Sequence, residues 1–238
     1  MKLVNLILYS DNIPEYVEMK NMLEKYLSKL QNFIYYFYCF DSSISTEYEI
    51  RGNTIYIRGS ETSVPGILDK TIKAIQITNK IHSDYDYIVR TNISTIVNFP
   101  LLQQFLMIHK NENYDYIGPT KVLTWCDIPS GIIDDKYYKT QFVCGICIIL
   151  SKKIVDLLLS NIHILDYSVI DDVALGVFFN NYSIVKNDIT NMVIENSAKF
   201  YHSKLIFRNK SESRYRDTRN MNTHIINLIH NLQVQNMI

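Results

Sequence analysis

The strongest constraint on the fold is an alternation. The apolar run Leu3-Val4-Asn5-Leu6-Ile7-Leu8 stops at Tyr9-Ser10-Asp11-Asn12 and gives way to a helical pattern. Over residues 13–31, Val17, Met22, Leu23, Tyr26, Leu27 and Leu30 fall on one helical face, with Pro14 near the start. Strand-like runs return at 33–41, 85–92, 114–120 and 142–151, and helical patterns at 64–81, 99–110, 152–161, 171–181 and 221–232. Residues 48–59 read as a hairpin turning at Gly52-Asn53. Strands alternating with helices predict an α/β fold whose mixed, mostly parallel sheet is flanked by helices. Residues 121–140 read as irregular, and 199–219 as a polar, basic tail with interleaved aromatics. No Pro/Gly/Ser-rich linker and no internal repeat interrupts the chain, so residues 1–238 are expected to form a single domain.

Composition excludes several classes of function. The 24 basic residues balance the 24 acidic ones, which leaves no general electrostatic reason to bind nucleic acid or anionic membrane. No apolar run reaches the ~20 residues of a membrane span. The first twelve residues, MKLVNLILYSDN, lack a small-residue cleavage site, so neither signal peptide nor anchor is expected and the location reads as cytoplasmic. Cys144 and Cys147 form a C-x-x-C, which permits a redox or zinc site. They lie inside an apolar run without a second C-x-x-C, which favours reduced core thiols.

Function is expected at the strand ends. In open α/β sheets ligands bind beyond the carboxyl ends of the strands. Asp84-Tyr85-Asp86 precedes its strand and so falls at the wrong edge, whereas Arg90-Thr91-Asn92-Ile93-Ser94 leaves it at the right one. On the residues alone, Asn92 and Ser94 fit either a ligand contact or an ordinary turn. Glycine-rich phosphate loops, H-E-x-x-H and G-x-S-x-G are missing. Polar clusters remain at Ser10-Asp11, Arg90 to Ser94, Cys144-Gly145 and Asp171-Asp172, together with the basic tail.

In order along the chain, these clusters resemble the β-1,3-galactosyltransferase and fringe family of GT-A glycosyltransferases. PGILDKTIKAIQI is similar to that family's N-L-T-L-K-T helix, with Lys70-Thr71 at its Lys-Thr. YIVRTNISTIVN resembles Y-x-x-K-T-D-x-D-x-F-x-N, placing Arg90 at the Lys, Asn92 and Ser94 at the two aspartates, and Asn98 at the Asn. FVCGICIILS resembles Y-C-S-G-x-G-Y-x-x-S, with Gly145 and Ser151 in register, and IDDVALG resembles E-D-V-Y-V-G through Asp171, Asp172 and Gly176. His202 falls where the family often has a C-terminal His. The resemblance runs from about Glu61 to His202.

The resemblance implies a Rossmann-like GT-A domain, with a nucleotide-sugar half at 1–120 and an acceptor and catalytic half at 121–238. It implies inverting transfer of a hexosyl or N-acetylhexosaminyl group from a UDP-sugar to a glycan hydroxyl, with Asp172 as general base. On the residues alone Asp171 caps the helix that follows, and the alternative is that both aspartates only cap it. Ser10, Asp11, Lys70, Arg90, Asn92, Ser94 and Arg208 are the expected donor contacts. Trp125, Gly145 and Asp171 are the expected acceptor contacts, with Tyr137 and Tyr138 near Trp125. One departure is chemical. Where the family's Asp-x-Asp holds a divalent cation, this chain has Asn92-Ile93-Ser94, and hard cations prefer carboxylate oxygens. Either Mn2+ or Mg2+ is held weakly by Ser94 and His202 with the diphosphate, or basic side chains of the tail (Lys204, Arg208, Lys210, Arg214, Arg216) replace it. The competing reading is an inactive nucleotide- or glycan-binding protein on the same fold.

Overall fold

Leu3, Val4, Leu6 and Ile7 are buried in succession along the first strand, β1 (Leu3–Leu8), as a central strand covered on both faces requires. Asn5 is the one polar residue within that run. Its amide donates to Val89 O at 2.9 Å and Thr91 Oγ1 at 3.2 Å. The structure is a computed structural model describing residues 1–110 and 112–235.

The first half builds the parallel core. After β1 come α1 (Pro14–Leu27), β2 (Ile34–Asp41), the hairpin β3 (Tyr48–Arg51) and β4 (Thr54–Arg58), α2 (Gly66–Ile81) and β5 (Tyr87–Asn92). Gly52 turns the hairpin with φ +59°, a conformation that costs glycine little. In α1 the buried face carries Met19, Met22, Leu23, Tyr26 and Leu27, while Val17, expected on that face, is exposed. The rotation that buries Met19 turns Val17 outward.

The second half contributes β6 (Thr95–Val97), α3 (Phe99–Ile108), β7 (Tyr116–Gly118), β8 (Thr120–Val122), β9 (Gln141–Val143), β10 (Cys147–Ser151), α4 (Lys152–Ser160) and α5 (Asp171–Asn181). It closes with β11 (Lys186–Asp188), β12 (Val193–Glu195), β13 (Ile206–Arg208) and α6 (Arg214–Val234). The main sheet runs β11-β7-β10-β5-β1-β2-β4-β3. β1 pairs in parallel with β2 and β5, β2 with β4, and β7 with β11. β10 runs antiparallel between β5 and β7, and β3 antiparallel to β4. The expected mixed, mostly parallel sheet flanked by helices is observed. Among the described residues no helix is long and apolar enough to cross a membrane.

Three local expectations fail. Residues 142–151 are two strands, not one. The chain breaks at Cys144–Ile146, where Cys147 N–H donates to Cys144 O, and β9 leaves to pair with β8 in a separate two-stranded sheet. Residues 121–140 are less irregular than expected: β8 reaches Val122, and an Asp127–Ile132 bridge closes a short 3-10 turn. The basic tail is not a tail. Ile206–Arg208 is a strand paired with β6 and β12, and α6 begins at Arg214, capped by the Ser213 side chain.

Candidate active site

Because β10 runs antiparallel to β5, the turn that precedes it lies at the carboxyl edge of β5. The register pairs Cys147 with Thr91. Ser10 follows β1 at the same edge, Asn92 and Ser94 follow β5, and α5 enters there with Asp171 and Asp172. Together they line a cleft of about 590 Å³. Asp84 and Asp86 lie at the opposite edge, bonded to the Lys2 side chain and backbone N–H respectively.

Arg90 organises the cleft floor. It points from a central strand and is 2% exposed, so its charge must be matched inside the protein. Asp171 Oδ2 stands 2.6 Å from Arg90 Nη2. Arg90 Nη1 donates to Asn92 Oδ1 at 2.7 Å and to Gly145 O at 2.5 Å. Burial works against the guanidinium's charge, but the Asp171 carboxylate outweighs it and holds the pKa above the ordinary arginine value. Arg90 thereby ties β5, the Gly145 turn and the start of α5 together.

Asp172 sits beside this network, half-buried. Its Oδ2 accepts from Gly145 N–H at 2.8 Å and its Oδ1 from Val173 N–H at 2.9 Å. Burial and then the neighbouring Asp171 charge push its carboxyl up to about 6, against the two amide hydrogen bonds and Arg90. The expected helix cap is corrected here. The residue at the cap is Ile170, and Asp171 makes no capping bond because Arg90 occupies it. The following residue, Asp172, takes the amide at the helix start. Gly176 lets α5 approach β9, since a Cβ there would clash with Phe142. Gly145 is less tight: a Cβ would lie 3.2 Å from Arg90 Nη1 and 3.4 Å from Asp172 Oδ2, close enough to press on the guanidinium.

Lys70 is buried at 2% exposure, not solvent-facing as helix lysines usually are. Its Nζ donates to Tyr9 O at 3.1 Å and to Glu61 Oε2 at 2.5 Å. Burial lowers its pKa and Glu61 partly offsets that. Arg208 enters the cleft from the end of β13, and Lys121 and Lys210 line its rim. Trp125 lines it too, 41% exposed. Tyr137 and Tyr138 do not line it. Tyr137 is buried, with its hydroxyl donating to Asp166 Oδ2 at 2.7 Å, and the Tyr138 hydroxyl meets Cys126 Sγ at 3.2 Å.

Other expected residues lie elsewhere. Asp11 is exposed and outside the lining. His202 lines a different depression with Phe200 and His230, away from Ser94. Lys204 bonds Asn191 O, Arg214 stacks 4.9 Å over the Tyr16 ring, and Arg216 donates to Ser211 Oγ at 3.3 Å. Glu61 and Lys121 were not anticipated. Lys121 follows a strand-and-turn signal, and Glu61 carries no signal of its own. Cys144 and Cys147 are buried free thiols, each pushed up to about 12 by burial.

The residues do not fit a divalent cation. Asn92 Oδ1 already accepts from the Arg90 guanidinium, whose charge repels a second cation. Among the described residues no three His, Cys, Asp or Glu side chains cluster as ligands. Hard cations take six or more oxygens, with carboxylates prominent among them.

No family model and no curated protein sequence matches the chain. Among solved structures it is similar to a glycosyltransferase involved in the glycosylation of the major capsid of PBCV-1. The TM-score is 0.56 at 11% identity, over 93% of this chain and 98% of that one. A lower similarity, TM-score 0.45 at 11% identity over 92% of this chain and 79% of that one, is to the catalytic domain of Drosophila β1,4-galactosyltransferase 7 in complex with xylobiose. The first of these similarities shows that the chain shares the α/β fold of that structure across nearly its whole length.

Proposed function

We propose that the chain is an inverting glycosyltransferase that moves a sugar from a UDP-sugar to a hydroxyl of a glycan or glycoconjugate. One observation carries this reading. A half-buried carboxyl, Asp172, pushed up to about 6, stands in a cleft whose other walls carry exposed cations. A base of that pKa is mostly ionised near neutrality and still basic enough to take a proton. The acceptor O–H gives its proton to Asp172 as its oxygen bonds the anomeric carbon. The bond from that carbon to the diphosphate oxygen breaks, and its electron pair leaves with UDP. Attack from the face opposite the leaving group inverts the centre. Cations fixed beside the departing phosphate stabilise the charge it gains.

Arg90 is a positioning residue. It holds Asp171 and Gly145, and Gly145 N–H holds Asp172. Trp125 offers an aromatic face to the acceptor ring. Ser10, which lines the cleft, would meet the nucleoside, and the Lys70–Glu61 pair lines the same cleft.

The experiment is a thermal-shift panel with UDP, GDP, CMP and several UDP-sugars, followed by a transfer assay on those that bind. A ligand at 100 times its Kd raises stability by about 2.7 kcal/mol. UDP and a UDP-sugar are expected to raise the melting temperature, and the UDP-sugar to turn over. The absence of any shift with every nucleotide would overturn the proposal. Binding without turnover would leave a nucleotide-binding protein on a transferase fold.

A further inference from the structure

The cleft carries more positive charge than its own carboxylates neutralise. Five cations line it against three carboxylates, an excess of two in a chain whose net charge is zero. Two of the cations are committed, Lys70 to Glu61 and Arg90 to Asp171. Lys121, Arg208 and Lys210 remain, and among the described residues neither lysine is in an ion pair. Arg208 Nη1 rests 3.3 Å from Glu195 Oε2, and its buried Nε has no partner.

The strand register decides where this charge stands. β13 pairs antiparallel with β6 so that Arg208 lies opposite Thr95, and Asn209 N–H donates to Ser94 O at 2.9 Å. Arg208 and Lys210 therefore flank the Asn92–Ser94 turn, the place at which a dication does not fit.

We infer that the site binds the diphosphate of its nucleotide ligand through Lys121, Arg208 and Lys210, without a divalent cation. The inference rests on the nucleotide-sugar reading above. Two exposed ammoniums and one guanidinium supply what a dication would: attraction for the ground-state diphosphate and stabilisation of the charge that develops on it. A guanidinium forks onto two phosphate oxygens, and lysine ammoniums act as point charges. An exposed cation set also makes binding salt-sensitive.

The test is the affinity of the full chain for UDP, GDP and uridine by calorimetry, in excess EDTA and in excess Mn2+, for the wild type, Lys121→Gln and Lys210→Gln. Both lysines are exposed, so the unliganded melting temperature is expected to stay unchanged and to confirm folding. The expected result is a UDP affinity equal with EDTA and Mn2+. Each substitution is expected to weaken UDP about 5- to 10-fold while leaving uridine unaffected. UDP binding that requires Mn2+ would overturn the inference and leave the transferase reading standing, as would affinity indifferent to both lysines. GDP bound independently of metal, with UDP not bound, would keep the inference and remove the uridine specificity. No binding of any nucleoside diphosphate would overturn both.

Discussion

Two pairs of aspartates sit at opposite edges of one sheet. At the amino edge, Asp84 meets the Lys2 side chain in open solvent, and that hydrogen bond lowers its pKa. Asp86 accepts from Lys2 N–H at 2.6 Å. At the carboxyl edge, Asp171 is buried against Arg90, and Asp172 is held by two amides with its carboxyl pushed up to about 6. The side chains are chemically the same. In solvent a hydrogen bond to Lys2 lowers the Asp84 carboxyl, while burial and then the Asp171 charge raise that of Asp172. On the proposed reading, strand direction marks the site and the literal Asp-x-Asp does not.

That comparison breaks most sharply on activity. Asp172→Asn is expected to lower the transfer rate about 10²- to 10⁴-fold, whereas Asp84→Asn leaves it unchanged, both read as UDP release. Equal rates for the two variants would erase the distinction between the edges.

Stability gives the next contrast. Arg90→Met strands the buried Asp171 carboxylate and is expected to cost about 3–5 kcal/mol, read as a fall in the urea midpoint. Lys2→Met, at the exposed pair, is expected to leave the midpoint in place. Adding Asp171→Leu to Arg90→Met removes the orphaned charge and is expected to recover most of the loss. Failure to recover would mean that Arg90 stabilises through Gly145 and Asn92 instead.

The Asp172 carboxyl sharpens the comparison through pH. Unfolded it titrates near 3.8, and folded near 6, so between those values the native chain holds the extra proton. Stability from this group falls as pH rises from about 4 to 6 and stays lowered above that. Asp172→Asn is therefore expected to be more stable than the wild type at pH 7, by on the order of 2 kcal/mol, and equal to it near pH 4. Thermal melts at the two pH values read this directly. Asp84, whose pKa is lowered, gives no such gain when neutralised.

Smaller effects are expected at the cleft margins. Gly145→Ala places a methyl group 3.2 Å from Arg90 Nη1, and a several-fold loss of kcat with little change in melting temperature is expected. Trp125→Ala is expected to raise the acceptor KM a few-fold and leave donor binding alone, because the ring is 41% exposed on the cleft rim.

Much of this was legible in the sequence. β1, β2 and β5 announce themselves as largely apolar runs without alternation, because a buried parallel strand has no solvent face to record. Arg90 was legible because it ends such a run at the carboxyl edge, whereas Gly145 and Asp172 were marked by the resemblance. What was not legible is non-local. β6 and β13 are three residues each, too short for periodicity, and exist only because they pair across more than a hundred residues of chain. Arg208 was marked by charge alone, and its place beside Ser94 comes from that pairing. The role of Asp171 was misread because a helix-starting Asp usually caps, and only the buried Arg90 opposite it diverts the carboxylate. His202 carried a resemblance that the fold does not honour, since the turn before β13 points it into another depression.

The most direct test of the central claim is the pH–rate profile of UDP release from UDP-sugars, for the wild type and Asp172→Asn, between about pH 5 and 8. The wild-type rate is expected to rise up to tenfold per pH unit below about 6 and to level off above it, with the variant low and flat throughout. A wild-type profile without that rise, or a variant that turns over at the wild-type rate, would remove Asp172 as the base and contradict the account of this cleft.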